Sequence, residues 1–472
     1  YKGQLVKDFL ELTYPQRTFF FIEIELYEGN GSGLGLTLIS CQKYLQQPFI
    51  FISCDTLVEG KIRPPDSNWM GYSKVDNPSM YRTLLIKNHL VIRLLEKESL
   101  KKEALKKDAY AYIGIAGINN YEIFWNAMNS GGFAAIEQGE SYGLRFIMKN
   151  TDISCFEFNW FDTGNIKELK KTRIHYANLN HPNILEKQNE AIWFINNCVV
   201  KYSDDKEFIE NRVKRSINLK GFVPEVYDFR SNMYCYKRVE GEVLSDVVDI
   251  KIFNKFIVHC ENFWEEISLN SEQEFEFNNN CLSFYQDKTL ARISLFYKNF
   301  NKKDNAQFIN DQEMPTLSNL FKKIDWSLLS QGIPGRFHGD FHFENILWSK
   351  ENESFTFLDW RQDFSGNTLF GDIYYDFAKL MHGLIVNHGV ISRNKYSASW
   401  KNNEIYFEIQ RKKRLIESEN EFNNWLKING FDLKKVRILT ALIYLNIAAL
   451  HHHPYSLLLY GLGKEMLYKE LI

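Results

Sequence analysis

Residues 337–348 read Phe-His-Gly-Asp-Phe-His-Phe-Glu-Asn-Ile-Leu-Trp, and residues 355–360 read Phe-Thr-Phe-Leu-Asp-Trp. Residues 346–348 and 355–358 are short apolar runs of strand character, and Lys350-Glu-Asn-Glu353 between them is a turn sequence. In a hairpin, the residue before the first strand and the residue after the second lie at the same end. Asn345 and Asp359 are therefore expected to be neighbours in space, and Asp340 lies on the loop that feeds that end. Two carboxylates and one amide oxygen make a donor set suited to a hard cation such as magnesium. Phosphoryl transfer calls for such groups: a carboxylate orients the attacking hydroxyl and takes its proton, while metal ligands hold the triphosphate.

The spacing His338-Gly339-Asp340, then Asn345, resembles the H-G-D-x-x-x-x-N catalytic loop of the aminoglycoside phosphotransferase and choline kinase superfamily. Protein kinases carry H-R-D-x-x-x-x-N, then D-F-G and A-P-E. Here Leu358-Asp359-Trp360 follows and A-P-E is missing, which favours the small-molecule branch. Gly371-Asp372-Ile-Tyr-Tyr-Asp376-Phe-Ala378 also resembles that superfamily's G-D-x-x-x-D-h-A helix start. The resemblance implies Asp340 as the catalytic residue, Asn345 and Asp359 as magnesium ligands and ATP as donor. Lys201 lies on the second strand of a hairpin (residues 191–195 and 198–202) whose turn, Asn196-Asn197, can supply positive φ angles. It matches the phosphate-binding lysine of the small lobe. Glu207 and Glu210, on a helix expected over residues 205–219, are alternative ion-pair partners for it. The segment from Tyr236 to Gly241 looks like the hinge that reads adenine. No glycine-rich loop precedes Lys201; Glu186-Lys-Gln-Asn-Glu190 stands there instead.

The first third of the chain has another texture. Residues 19–26, 48–54 and 111–118 read as strands that alternate with helical patterns, as in an α/β layer. Glu28-Gly-Asn-Gly-Ser-Gly-Leu-Gly35 precedes a helical stretch, where a nucleotide loop would sit, but it lacks the dinucleotide and P-loop fingerprints. Asp55 follows an apolar strand, at the ligand-bearing end of an open α/β sheet, and Asp162 lies in Trp160-Phe-Asp-Thr-Gly-Asn165. These pieces resemble the sugar-phosphate nucleotidyltransferases. Ser32-Gly33-Leu34-Gly35 resembles the base-contacting loop, Asp55 the first metal aspartate, and Asp162, in a W-x-D-x-G element, the second. The resemblance implies CTP or UTP as the nucleotide. The family's opening strand and G-x-G-T/S-R loop are not found, so this domain is expected to be N-terminally incomplete.

The fold class expected is α/β plus α+β. A nucleotidyltransferase-like α/β sheet domain covers residues 1–175 and a linker, with Asn178-Leu-Asn-His-Pro-Asn183, covers 176–183. A two-lobed kinase-like domain covers 184–472, its small lobe about 184–245 and its helical lobe about 246–472, with one β interruption at 346–358. The 472 residues exceed one ordinary core. Hydrophobic and charged contents of 44% and 25% fit a globular chain, and a net charge of −2 argues against nucleic acid as a partner. Residues 439–450, apolar but broken by Tyr444 and Asn446, read as a buried helix and not as a membrane span. Seven cysteines without a CxxC pair suggest reduced thiols and a cytoplasmic protein. His451-His-His453 is read as a helix end or pocket lining, since consecutive histidines diverge on a helix. The function expected is phosphorylation of a hydroxyl on an amino alcohol, polyol or sugar. The first domain is expected to activate the product as a CDP- or UDP-linked precursor for capsule or lipopolysaccharide assembly. The alternatives are an antibiotic-modifying kinase and a nucleotide-binding scaffold with a degenerate first domain.

Overall fold

Strand Cys198–Ser203 alternates, and that alternation decides which way Lys201 faces. Cys198 and Val200 point to one side with Met233 and Cys235, where Leu5, Phe9 and Leu12 cover them. Val199 points to the other side, into the main core with Tyr234 and Tyr236. Lys201 shares that inner side.

In this computed structural model, which describes residues 2–97, 109–176 and 189–472, the chain divides into two units. One is Thr18–Ile184; the other joins Tyr1–Arg17 to Leu185–Ile472. Helix Gly3–Thr13 thus packs on the small-lobe sheet and not on the first sheet, where its place in the sequence had put it. Its apolar residues Leu5, Phe9 and Leu12 recur at helical spacing, so they form one stripe, and an open sheet face is what such a stripe can cover. Most of the linker expected at 176–183, and residues 186–188 of the stretch before Lys201, lie outside the described residues.

In the larger unit, the small lobe is an antiparallel sheet ordered Val226–Arg230, Met233–Lys237, Cys198–Ser203, Glu190–Ile195. In its tight turn Asn196 has φ of 53°, and Asn197 is not among the residues with positive φ. Helix Lys206–Asn218 follows, started by Asp205, whose side chain accepts the Phe208 N–H at 3.2 Å. A second sheet, Glu242–Val243 with the hairpin Ile346–Ser349 and Ser354–Phe357, joins the lobes. The helical lobe is built around Ile373–Ile385, which is almost wholly buried, and Leu433–Ala448, which pack on each other. Among the described residues no helix is long and apolar enough to cross a membrane. This lobe also holds a sheet that the sequence did not announce, ordered Gln312–Met314, Gln307–Ile309, Glu404–Ile409, Tyr396–Lys401. It consists of two local hairpins, and the parallel pairing of Phe308 and Ile309 with Glu404 and Ile405 that joins them is distant in sequence, so periodicity alone does not reveal it.

The unit Thr18–Ile184 is a six-stranded sheet ordered Phe49–Ile52, Ala109–Ile118, Trp69–Ser73, Ser154–Glu157, Leu90–Leu95, Thr83–Lys87. Helices Leu34–Cys41, Tyr121–Ser130 and Glu140–Asn150 contribute Leu38, Phe124 and Ile147 to its core. The strand expected over residues 19–26 is irregular chain, with Phe20 and Leu26 exposed. Strand propensity needs a neighbour's N–H and C=O groups, and this segment has no ladder partner among the described residues.

Candidate functional site

Ile346 pairs with Phe357 at the base of the hairpin, and the Leu358 N–H donates to the Asn345 carbonyl at 2.7 Å. Asn345 and Asp359 therefore flank the same end. Asp359 has φ of 59°, a left-handed conformation that a residue with a Cβ adopts at some cost. Here it sits beside the cationic groups that bind it. Lys201 Nζ donates to Asp359 Oδ1, and Arg212 Nη1 donates to the same oxygen at 2.8 Å. Oδ2 accepts no hydrogen bond among the described residues. Burial pulls the pKa of the Lys201 ammonium down, but the Asp359 carboxylate together with Tyr236 and Tyr234 holds it above the ordinary value. For Asp359 burial works upward, and Lys201 and Arg212 hold the carboxyl well below the usual range.

The partner of Lys201 is thus neither of the two glutamates expected. Glu207 is exposed, and Glu210 pairs with Lys214 one helical turn on at 2.7 Å. Helix Lys206–Asn218 instead turns Arg212 and Arg215 inward, and both are buried. The three-residue spacing of these arginines puts them on one helix face, with the buried Ile209. Arg215 donates to the carbonyls of Phe337 and Arg361 and reaches that of His338 at 3.4 Å. One guanidinium fork thereby ties the loop at Phe337 and His338 to the segment after Asp359.

That loop is also held from below. Asp376, fully buried, accepts the N–H groups of His338 at 2.6 Å and Gly339 at 2.7 Å. Asp372 caps its own helix and accepts the Ile333 N–H and the Tyr285 hydroxyl. Both aspartates of the G-D-x-x-x-D-h-A element therefore position backbone. Gly339 has φ of 87°, and a Cβ there would lie 2.6 Å from that of Arg361, so only glycine fits between His338 and Asp340. His338 is buried, and burial, with the neighbouring Arg215 and His342, lowers its pKa to about 3. It is a neutral ring that accepts the Asp340 N–H at 3.2 Å.

Asp340 itself is 41% exposed at its side chain and bonds Lys379 Nζ at 2.7 Å. Asn345 Nδ2 donates to the Asp340 carbonyl at 2.9 Å and approaches Oδ2 at 3.3 Å, which leaves the Asn345 amide oxygen available as a ligand. Burial would raise the Asp340 pKa, but Lys379 and then His342 outweigh it, so the carboxyl is held well below its ordinary value. His342 is subject to burial, which lowers its pKa, and to Asp340 and Glu344, which together take it up to about 9. Lys379 and His342 do not belong to the motifs read from the sequence; Lys379 follows Asp376 by one helical turn on Ile373–Ile385.

Tyr236 is buried in strand Met233–Lys237, its ring centroid 5.9 Å from Lys201 Nζ. Gly241, with φ of 154°, passes so close to the hairpin that a Cβ would meet the Trp348 carbonyl at 3.0 Å. The segment between them connects the two sheets and borders a polar cavity of about 360 Å³.

In the unit Thr18–Ile184, strands Thr56–Glu59 and Asn159–Asp162 pair with Thr56 opposite Asp162. The carboxylates of Asp55 and Asp162 lie 2.9 and 3.2 Å from where a Cβ on Gly164 would be. Asp162 accepts the Gly164 N–H at 2.8 Å and the Tyr81 hydroxyl at 3.1 Å, while the Asp55 carboxylate has no partner among the described residues. Ser32 Oγ donates to the Gly29 carbonyl at 2.7 Å in a local turn. Gly33 and Gly35 open helix Leu34–Cys41 against the carbonyls of Ile136 and Ala135, too close for a Cβ, and Leu34 is half exposed. These glycines therefore serve helix packing.

Residues 291–405 match the phosphotransferase enzyme family. That span includes Asp340, Asn345, Asp359 and Lys379. No curated protein matches the chain. Solved structures similar to it include an ethanolamine kinase from Plasmodium vivax, at 16% identity over 70% of this chain and 95% of that one (TM-score 0.35). Another is the streptomycin–ATP complex of APH(2″)-IIa, at 15% identity over 65% of this chain and 98% of that one (TM-score 0.36). A third, a UTP-bound UGPase from Acinetobacter baumannii, is 13% identical over 32% of this chain and spans 58% of its own length (TM-score 0.27). The family match falls within the unit that contains Leu185–Ile472.

Among the described residues no group of three or more His, Cys, Asp or Glu side chains is placed to hold a metal. The donors at the hairpin, the Asp359 carboxylate with a free Oδ2 and the Asn345 amide oxygen, are two hard oxygens. Two protein ligands fit magnesium, which takes most of its shell from water and phosphate.

Proposed function

We propose that the two-lobed unit transfers the γ-phosphoryl group of ATP to a hydroxyl of a small metabolite. The observation that carries this reading is the convergence of ionised Asp340, Asn345 and the Lys201-bound Asp359 at one end of a hairpin. In the reaction the acceptor oxygen bonds the γ-phosphorus, the bond from that phosphorus to the β-phosphate oxygen breaks, and the hydroxyl proton passes to Asp340. A low carboxyl pKa makes Asp340 foremost an orienting acceptor, which suits a loose transition state with late proton transfer. Lys201 would meet phosphate oxygens, and Asn345 and Asp359 would hold magnesium. Magnesium, when bound, would neutralise charge on the triphosphate. Arg215 and Asp376 keep the loop in place throughout. The test is a panel of hydroxyl compounds with ATP and magnesium, read by ADP release and mass spectrometry of the product. Failure of every acceptor to gain a phosphoryl mass would refute the reading.

A second reading concerns the unit Thr18–Ile184: nucleotidyl transfer from CTP or UTP to the phosphorylated product, as a step toward capsule or lipopolysaccharide precursors. The approach of Asp55 and Asp162 to one glycine supports it, because paired carboxylates suit magnesium at a triphosphate. Pyrophosphate release that needs one nucleotide, is lost on Asp55→Ala and survives Asp340→Asn would bear it out. No release with any triphosphate would remove it.

A further inference from the structure

A cavity of about 220 Å³ lies one side chain away from Asp340: Lys379, which bonds that carboxylate at 2.7 Å, forms part of its wall. Four cationic side chains line it: Lys288, Arg292, Arg361 and Lys379, with no carboxylate among the lining residues. Lys379 is the one committed to Asp340. Arg361 spends Nε on the Asp363 carbonyl at 3.1 Å and makes no ion pair among the described residues. Lys288 and Arg292 have neither an ion pair nor a hydrogen bond among the described residues. The wall between two of them is a ring: Lys288 Nζ stands 4.1 Å and the Arg361 guanidinium 4.9 Å from the centroid of Phe284. A phenyl face attracts each cation without neutralising it. Opposite them, helix Leu433–Ala448 contributes Leu439, Leu442, Ile443 and Ile447.

We propose that this cavity is the acceptor site and that its acceptor is a small hydroxyl compound carrying an anionic oxyacid group, carboxylate or phosphate, on a partly apolar body. The proposal rests on the reading of Asp340 as the phosphoryl-transfer carboxylate. Cations crowded into a partly buried space repel one another, and an anion placed among them relieves that repulsion and adds charge-assisted hydrogen bonds. The mutual repulsion is visible at Lys288: burial first, then Arg361, Lys379 and Arg292, push its pKa down to about 7, against an opposing pull from Asp340. A quaternary amine or an aminated sugar would meet like charge at this wall. The volume, below that usual for drug-sized ligands, also favours a small acceptor. Lys201 and Asp359 serve the nucleotide side, so the cationic wall is spare charge on the acceptor side of Asp340.

A lysine with a pKa near neutrality acylates readily, so Lys288 reports on its own cavity. The experiment is acetylation of Lys288 in the full chain, read by mass spectrometry with glycerol 3-phosphate, glycerate, glycerol or choline present in excess. The two anions should slow acetylation about tenfold, the effect of 1.4 kcal/mol of binding, and glycerol and choline should not. Protection by glycerol 3-phosphate alone would select a phosphate, and by glycerate alone a carboxylate. Arg292→Met should abolish protection while calorimetric affinity for magnesium–ATP is kept. Absence of protection by either anion, equal protection by choline, or a tenfold loss of magnesium–ATP affinity in Arg292→Met would overturn the proposal. Phosphoryl transfer to a neutral or cationic alcohol without anion protection would refute it and keep the kinase reading. Protection without transfer to any panel member would keep the anion site and refute the kinase reading.

Discussion

Asp359→Asn tests the charge cluster between the lobes most directly. Asparagine keeps the shape and removes the charge, so Lys201, 6% exposed, and Arg212 would share a buried site with no anion. Removing one partner of a buried ion pair costs about 3–5 kcal/mol. The Asp359 side chain is 38% exposed, so water screens part of the interaction and the lower end, about 3 kcal/mol, is the expected loss. That corresponds to roughly a 150-fold rise in the open fraction of the small lobe. Hydrogen exchange of the Val199, Val200 and Lys201 amides reads this opening locally, which avoids treating a two-unit chain as a single unfolding transition. A double variant, Lys201→Met with Asp359→Asn, should recover about 1–3 kcal/mol of the loss, because one of the stranded charges is gone. Unchanged protection in Asp359→Asn, or a double variant no better than the single one, would refute the idea that Asp359 compensates these cations. The same variant should weaken magnesium–ATP binding by calorimetry, and equal affinity would remove Asp359 from the metal site.

Asp340→Asn should leave magnesium–ATP affinity near wild type and lower turnover about 10²- to 10⁴-fold on the authentic acceptor; a near-normal rate would exclude Asp340 from the chemistry. Burial pushes the Asp376 carboxyl up to about 7 from 3.8. The folded chain therefore binds more protons than the unfolded one between those values, and stability should fall as pH rises through that window. Asp376→Asn should flatten that part of the stability–pH curve, and an unaltered slope would show that another group titrates there. Gly35→Ala should destabilise the unit Thr18–Ile184 by about 1–3 kcal/mol, as overpacking does, because its methyl would collide with the Ala135 carbonyl. Thermal unfolding with no shift in that unit would refute the packing role.

What the sequence determined by itself is local. Asn345 and Asp359 are brought together by a hairpin whose whole length lies between them, so strand patterning and a turn suffice to place them. Gly339 and the two aspartates of the Asp372–Asp376 element are legible for the same reason, since a tight turn and a helix start are short-range events. The tertiary structure decided everything that needed a distant partner. Lys201 meets Asp359 across 158 residues, and the helix that was expected to supply a glutamate supplies Arg212. Ile209 marks the inward face of Lys206–Asn218 and Arg212 and Arg215 share it, but which distant carboxylate an inward arginine meets is set by the fold. Helix Gly3–Thr13 joins a sheet that begins at Glu190, a pairing that no local pattern encodes. The cationic cavity is the extreme case: Lys288, Arg292, Arg361 and Lys379 come from three separate segments and acquire a common meaning only when the lobe closes them around one space. Backbone propensity acts over a few residues, whereas the field at Asp340 is a sum over whatever the fold brings within a few ångströms.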